Sequence, residues 1–126
     1  MKTLLSGNVL WASELEVQQR TKTNDLSFHI TGVKPFHCHS GEIFLDERAL
    51  RIMGNDVLTF SFDEMRELYL GFDEIYTPSL SKNFGLFWQP LRLTFTNKGF
   101  IYLIIDYNLG FSKNKLWFNT ISELLS

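Results

Sequence analysis

Short runs in which apolar and polar residues alternate, separated by turn-forming residues, predict a mainly β fold. A change to a helical period in the last fifteen residues predicts one C-terminal α-helix at about 112–125. Between them stands a segment apolar on both faces, as expected of a strand covered from two sides. Together these observations predict an antiparallel barrel of about seven strands closed by one helix.

The period of two dominates from about residue 26. Leu26, Phe28 and Ile30 alternate with Ser27, His29 and Thr31 before Gly32 and Pro35 interrupt the run. Ile43 and Leu45, then Leu50 and Ile52, give two further strands, and Gly54-Asn55-Asp56 supplies a turn. Leu58, Phe60 and Phe62 form the next alternating set, and Leu68, Leu70 and Phe72 another. Residues 73–85 read as a loop. Leu91, Leu93 and Phe95 alternate with Arg92, Thr94 and Thr96, after which Thr96-Asn97-Lys98-Gly99 provides a hairpin turn in which Gly99 can take a positive φ. Phe100–Ile105 returns from that turn. Trp117, Ile121, Leu124 and Leu125 then follow the stripe of an amphipathic helix, with Ser112 or Asn114 available to cap it. Residues 1–25 fit two structures. Ser13-Glu14-Leu15-Glu16 matches a capping box opening a short helix, while Leu15 and Val17 also fit an alternating strand.

Length and composition bound the function. At 126 residues, with no repeat, low-complexity tract or linker, residues 1–126 read as one domain. Hydrophobic residues make up 44% and charged residues 21%, which excludes a disordered tail or a disulfide-rich mini-protein. Lys and Arg number 12 against 14 Asp and Glu, so the net charge is −2, whereas a binder of the phosphate backbone carries a basic excess. Nucleic acid is therefore not the expected partner. Aromatic residues reach 15%, enough either to fill a small core or to mark an interface. Cys38 is the sole cysteine, which precludes an intrachain disulfide and fits a reducing compartment. Ser6, Gly7 and Asn8 interrupt the apolar run after Leu4 and Leu5, so no secretory leader is expected. No window has the length of a membrane span. A cytoplasmic location is the expectation.

A run of strands ended by one amphipathic helix resembles a pleckstrin-homology (PH)-like barrel, in which Trp117 would plug the open end. The chain is similar to the GRAM and bacterial PH-like families at particular segments. Leu4-Leu5-Ser6-Gly7-Asn8-Val9-Leu10 resembles their opening segment, with Asn8 where glutamate is usual. Gly41-Glu42-Ile43-Phe44-Leu45-Asp46-Glu47-Arg48-Ala49-Leu50 resembles their glycine-led hairpin, with Asp46 in place of threonine. Phe60–Met65, Leu91–Thr96 and Phe100–Ile105 resemble the segments that follow. The resemblance implies a non-catalytic platform for proteins, peptides or lipids. The basic cluster of lipid-binding members is missing: residues 26–48 carry only Lys34 and Arg48 besides His29, His37 and His39. Phosphoinositide binding therefore does not carry over.

Four groups of residues could carry function. His37 and His39, spaced to share one strand face, could bind a transition metal with His29 as third ligand, and Cys38 between them could be a reactive thiol. The alternative is two surface imidazoles with Cys38 turned inward. The carboxylates Asp46-Glu47, Asp63-Glu64-Glu67 and Asp73-Glu74 fall at strand ends and turns, where charge meets water. Tyr76, Phe84, Phe87, Trp88 and Arg92 are the candidate interface, either an exposed aromatic patch or rings folded over a barrel mouth. Lys34, Lys82, Arg92, Lys98 and Lys113 would support a lipid surface if they converged. No P-loop, dinucleotide fingerprint, nucleophile elbow, HExxH or EF-hand pattern occurs. The expectation is thus a non-enzymatic module, without cofactor, that binds a protein or peptide or associates with itself. Lipid binding and metal or thiol chemistry at His37-Cys38-His39 are the alternatives.

Overall fold

The computed structural model describes residues 2–22, 37–54, 56–77, 88–96, 99–108 and 111–126. Among these are seven strands: β1 (Leu5–Ser13), β2 (His39–Leu45), β3 (Ala49–Met53), β4 (Val57–Ser61), β5 (Met65–Leu70), β6 (Leu91–Phe95) and β7 (Gly99–Ile105). Helix α1 (Glu14–Lys22) follows β1, a 3₁₀ turn (Phe62–Glu64) links β4 to β5, and helix α2 (Asn114–Leu125) ends the chain. All strand pairs are antiparallel, in the order β4-β3-β2-β1-β7-β6-β5. The sheet curls into a half-barrel, and the Phe60 ring of β4 meets Phe95 of β6 from across the sheet. The expected class, a mainly β fold with one C-terminal helix, is the one observed.

The inner face of the curl holds the main core. Val9, Ile43, Leu45, Leu50, Ile52, Leu91, Leu93, Leu103 and Ile105 point into it. Helix α2 covers it with Trp117 and Ile121 buried and Leu124 partly buried, as the helical stripe requires. Leu125 lies at the margin of that stripe, on the last helical residue, and is exposed. The outer face of β1 and β7 carries a second core of Ala12, Val17, Tyr76, Trp88, Tyr102 and Ile104. Ile101 to Ile105 are consequently all buried, alternate residues serving opposite cores. Gly99 has φ 71°, the left-handed conformation its turn position calls for.

Several expectations change. The predicted strand at Leu26–Ile30 lies outside the described residues. The first described strand is β1, whose alternation is weak because Leu10 and Ala12 face the second core while Val9 and Trp11 face the first. After β1 the capping box prevails: Ser13 N–H donates to Glu16 Oε1 at 2.9 Å and Glu16 N–H donates to Ser13 Oγ at 3.3 Å. Phe62 leaves the strand pattern because Ser61 Oγ accepts the Asp63 N–H and starts the 3₁₀ turn. Asn114 is not a cap. It is buried, its Oδ1 accepting the Ile105 N–H at 2.8 Å and its Nδ2 donating to the Gln89 and Leu103 carbonyls. Ser112 Oγ accepts the Asn114 N–H at 3.3 Å.

Candidate interaction surface

Among the described residues the half-barrel has two edge strands, β4 and β5, and they are built differently. In an antiparallel ladder, bonded and non-bonded residue pairs alternate. Phe62 N–H donates to the Arg48 carbonyl and Gly54 N–H to the Asp56 carbonyl. The register pairs Leu50 with Phe60 and Ile52 with Leu58. Phe60 and Leu58 therefore bond to β3, while the backbone N–H and C=O groups of Val57, Thr59 and Ser61 point toward the open edge. Among the described residues β4 pairs with β3 alone.

Exposed edges are normally blunted by charges, proline or bulges. Strand β5 follows that rule. It has a register shift between Met65 and Glu67, exposed Arg66 and Glu67, and side-chain ties from Arg66 to Thr96 and from Glu67 to Arg92. Strand β4 reads Val-Leu-Thr-Phe-Ser, without charge, proline or irregular register. On its outer face Val57 is 60% exposed and sits opposite Met53, 45% exposed, an apolar pair open to water.

Beside β4 the inner face opens in a recess of about 500 Å³ at one mouth of the half-barrel. It is lined by Trp11, Cys38, His39, Ser40, Ile52, Gly54, Asp56 and Leu58. The register places Trp11 opposite His39, and their rings stack at 4.2 Å. His39 Nε2 lies 2.7 Å from Glu16 Oε2, so helix α1, the end of β1 and the start of β2 are tied together. Burial raises the Glu16 pKa, but the Ser13 N–H and His39 outweigh it and hold this carboxyl below its usual range.

The expected site residues are distributed otherwise. Tyr76 and Trp88 are buried in the second core, so these two rings are not exposed anchors. Their apolar bulk covers the outer face of β7, which needs such a cover. Arg92 is largely buried between the Tyr69 and Phe100 rings, 4.5 and 4.8 Å from their centroids. Its guanidinium donates to Asp73 Oδ2 at 2.8 Å and Glu67 Oε1 at 2.7 Å. Asp73 also accepts from the Ile75 and Tyr76 N–H groups and from Tyr102 Oη. Burial raises its pKa, yet these donors together lower it. Phe84 and Phe87 lie outside the described residues.

Of the proposed lipid cluster, Lys34, Lys82 and Lys98 also lie outside the described residues. Arg92 is paired as above, and Lys113 Nζ lies 3.8 Å from Asp106. His29 is likewise outside, and among the described residues no three His, Cys, Asp or Glu side chains are grouped to hold a metal ion. His39 is committed to Trp11 and Glu16. Cys38 is exposed rather than turned inward, its N–H donating to the Trp11 carbonyl. Asp46 does not meet water. It is 4% exposed, accepting from the Arg48 and Ala49 N–H groups and from Arg51. No described helix is long and apolar enough to cross a membrane. Sequence reasoning missed the β4 edge. Its signal was present in an uncharged Val57–Ser61 beside a charged Met65–Leu70.

Comparison of the chain with protein-family models, with curated proteins and with solved structures finds no match.

Proposed function

We propose that the chain is a non-catalytic PH-like interaction module that binds a protein or peptide by adding an extended segment of it to β4. The observation that carries this reading is the contrast between the two edges: β5 is bulged and charged, and β4 is neither. An added strand would run about 4.8 Å outside β4, bonding to the backbone of Val57, Thr59 and Ser61. Its alternate side chains would meet Val57 and Met53 on the outer face and Leu58 on the inner. The order β4-β3-β2-β1-β7-β6-β5 with a C-terminal helix supports the PH-like part of the reading.

The test uses a capped Thr-Val-Thr-Val-Thr peptide and ¹H–¹⁵N spectra of the whole chain. Saturable shifts at Val57, Thr59 and Ser61 are expected. They should vanish in Thr59→Pro, which removes an N–H facing the open edge and leaves the β3 bonds intact. Val57→Lys, at an exposed side chain, serves if the proline variant does not fold, and it should weaken binding. Absence of shifts in the parent chain, or shifts unchanged in these variants, would overturn the proposal.

A further inference from the structure

The charges around β4 say what kind of strand it accepts. Exposed Asp56 immediately precedes the strand, and exposed Asp63 and Glu64 follow it. The nearby cations do not offset them. Arg51, opposite Thr59, is held by Asp46. Arg48 shares the lining of a groove at the far end with Glu47 and Asp63. Both ends of the open edge are thus net negative among the described residues, while the strand between them is uncharged.

We infer that the segment added to β4 comes from another protein and is uncharged in its centre with Lys or Arg at both ends. This rests on the reading of β4 as an acceptor edge. A second copy fits poorly. Antiparallel pairing of two β4 strands sets Asp56 of each beside Asp63 and Glu64 of the other, and parallel pairing in register sets Asp56 beside Asp56. Like charges directly opposite are unfavourable, and juxtaposed like charge is a recognised means of excluding a wrong partner. A basic-flanked strand meets a carboxylate at each end in either direction, so charge alone selects it without fixing its polarity.

The experiment compares two peptides with the same Thr-Val-Thr-Val-Thr centre, one flanked by two Lys at each end and one by two Glu. Binding to the whole chain is followed by isothermal titration and by the Val57 and Thr59 amide shifts. At low salt the Lys-flanked peptide should bind about tenfold more tightly, and the advantage should shrink as added salt screens the exposed charges. Replacing Asp56, Asp63 and Glu64 together by Lys should reverse the order of the two peptides. Equal affinity for both peptides would overturn the charge inference and leave strand addition standing. Binding of neither would overturn strand addition itself. A dimer of the unmodified chain in native mass spectrometry, dispersed by the Lys-flanked peptide, would overturn the choice of a foreign strand over a second copy.

Discussion

The ring of Phe60 in β4 lies 4.8 Å from that of Phe95 in β6, although four strands separate β4 from β6 in the sheet order. This contact joins the two ends of the curl across the inner core and fixes β4, which among the described residues pairs with β3 alone. Phe60→Ala should destabilise the chain by about 3 kcal/mol, within the range for emptying a buried aromatic site. A double-mutant cycle with Phe95→Ala should show coupling of about 1 kcal/mol, the ordinary contribution of an aromatic pair. Urea denaturation of the four proteins measures both, and independent, additive effects would deny that the contact closes the curl.

Asp46 makes folding sensitive to acid. Burial raises its pKa, but the Arg48 N–H, the Arg51 guanidinium and the Ala49 N–H outweigh it, so the folded value lies below the ordinary 3.8. A depressed carboxyl pKa stabilises the fold above the unfolded value, and that stability is lost as pH falls through the folded value. Asp46→Asn should cost about 1.5–3 kcal/mol near neutrality, as expected for losing hydrogen bonds to a charged group. Its stability should then fall less steeply than that of the parent chain below about pH 4, near the usual aspartate value. Urea midpoints measured across that range give the comparison, and parallel curves would contradict it.

Gly41 has a steric role. A Cβ added there would stand 2.5 Å from the Met53 carbonyl oxygen, a backbone atom unable to swing aside. Gly41→Ala should therefore destabilise by about 1–3 kcal/mol, the cost of overpacking. It should also shift the amide resonances of Met53 and Gly54, where β3 ends and the turn to β4 begins. A neutral substitution would mean that β2 and β3 have room to separate.

The legible parts of the fold are those in which burial is one-sided or complete. Leu91, Leu93 and Phe95 alternate cleanly because only their side of β6 faces the inner core, and Phe100–Ile105 is apolar throughout because two cores meet on it. Trp117 and Ile121 announced α2 by their spacing. Strand β1 was obscured where its outer face also becomes apolar. The capping box at Ser13 and Glu16 decided the start of α1, but the sequence could not show the His39 contact that reinforces it. Tyr76 and Trp88 left two readings open because an aromatic cluster reads the same whether it faces solvent or covers a strand; burial decides for the second. Asp46 misled because a turn carboxylate reads as solvated until its donors are placed around it. An open edge depends on which strands pair, and pairing across 126 residues is not written in local pattern.

Backbone amide hydrogen exchange along β4 reports which of its N–H groups are bonded, since an N–H bonded within the sheet exchanges far more slowly than one facing water. In the chain alone, Leu58 and Phe60 should be protected, and Val57, Thr59 and Ser61 should exchange rapidly. Adding the Lys-flanked peptide should slow the second set and leave the first unchanged. Equal protection of all five in the chain alone would show that the edge is already covered and that β4 is not an acceptor.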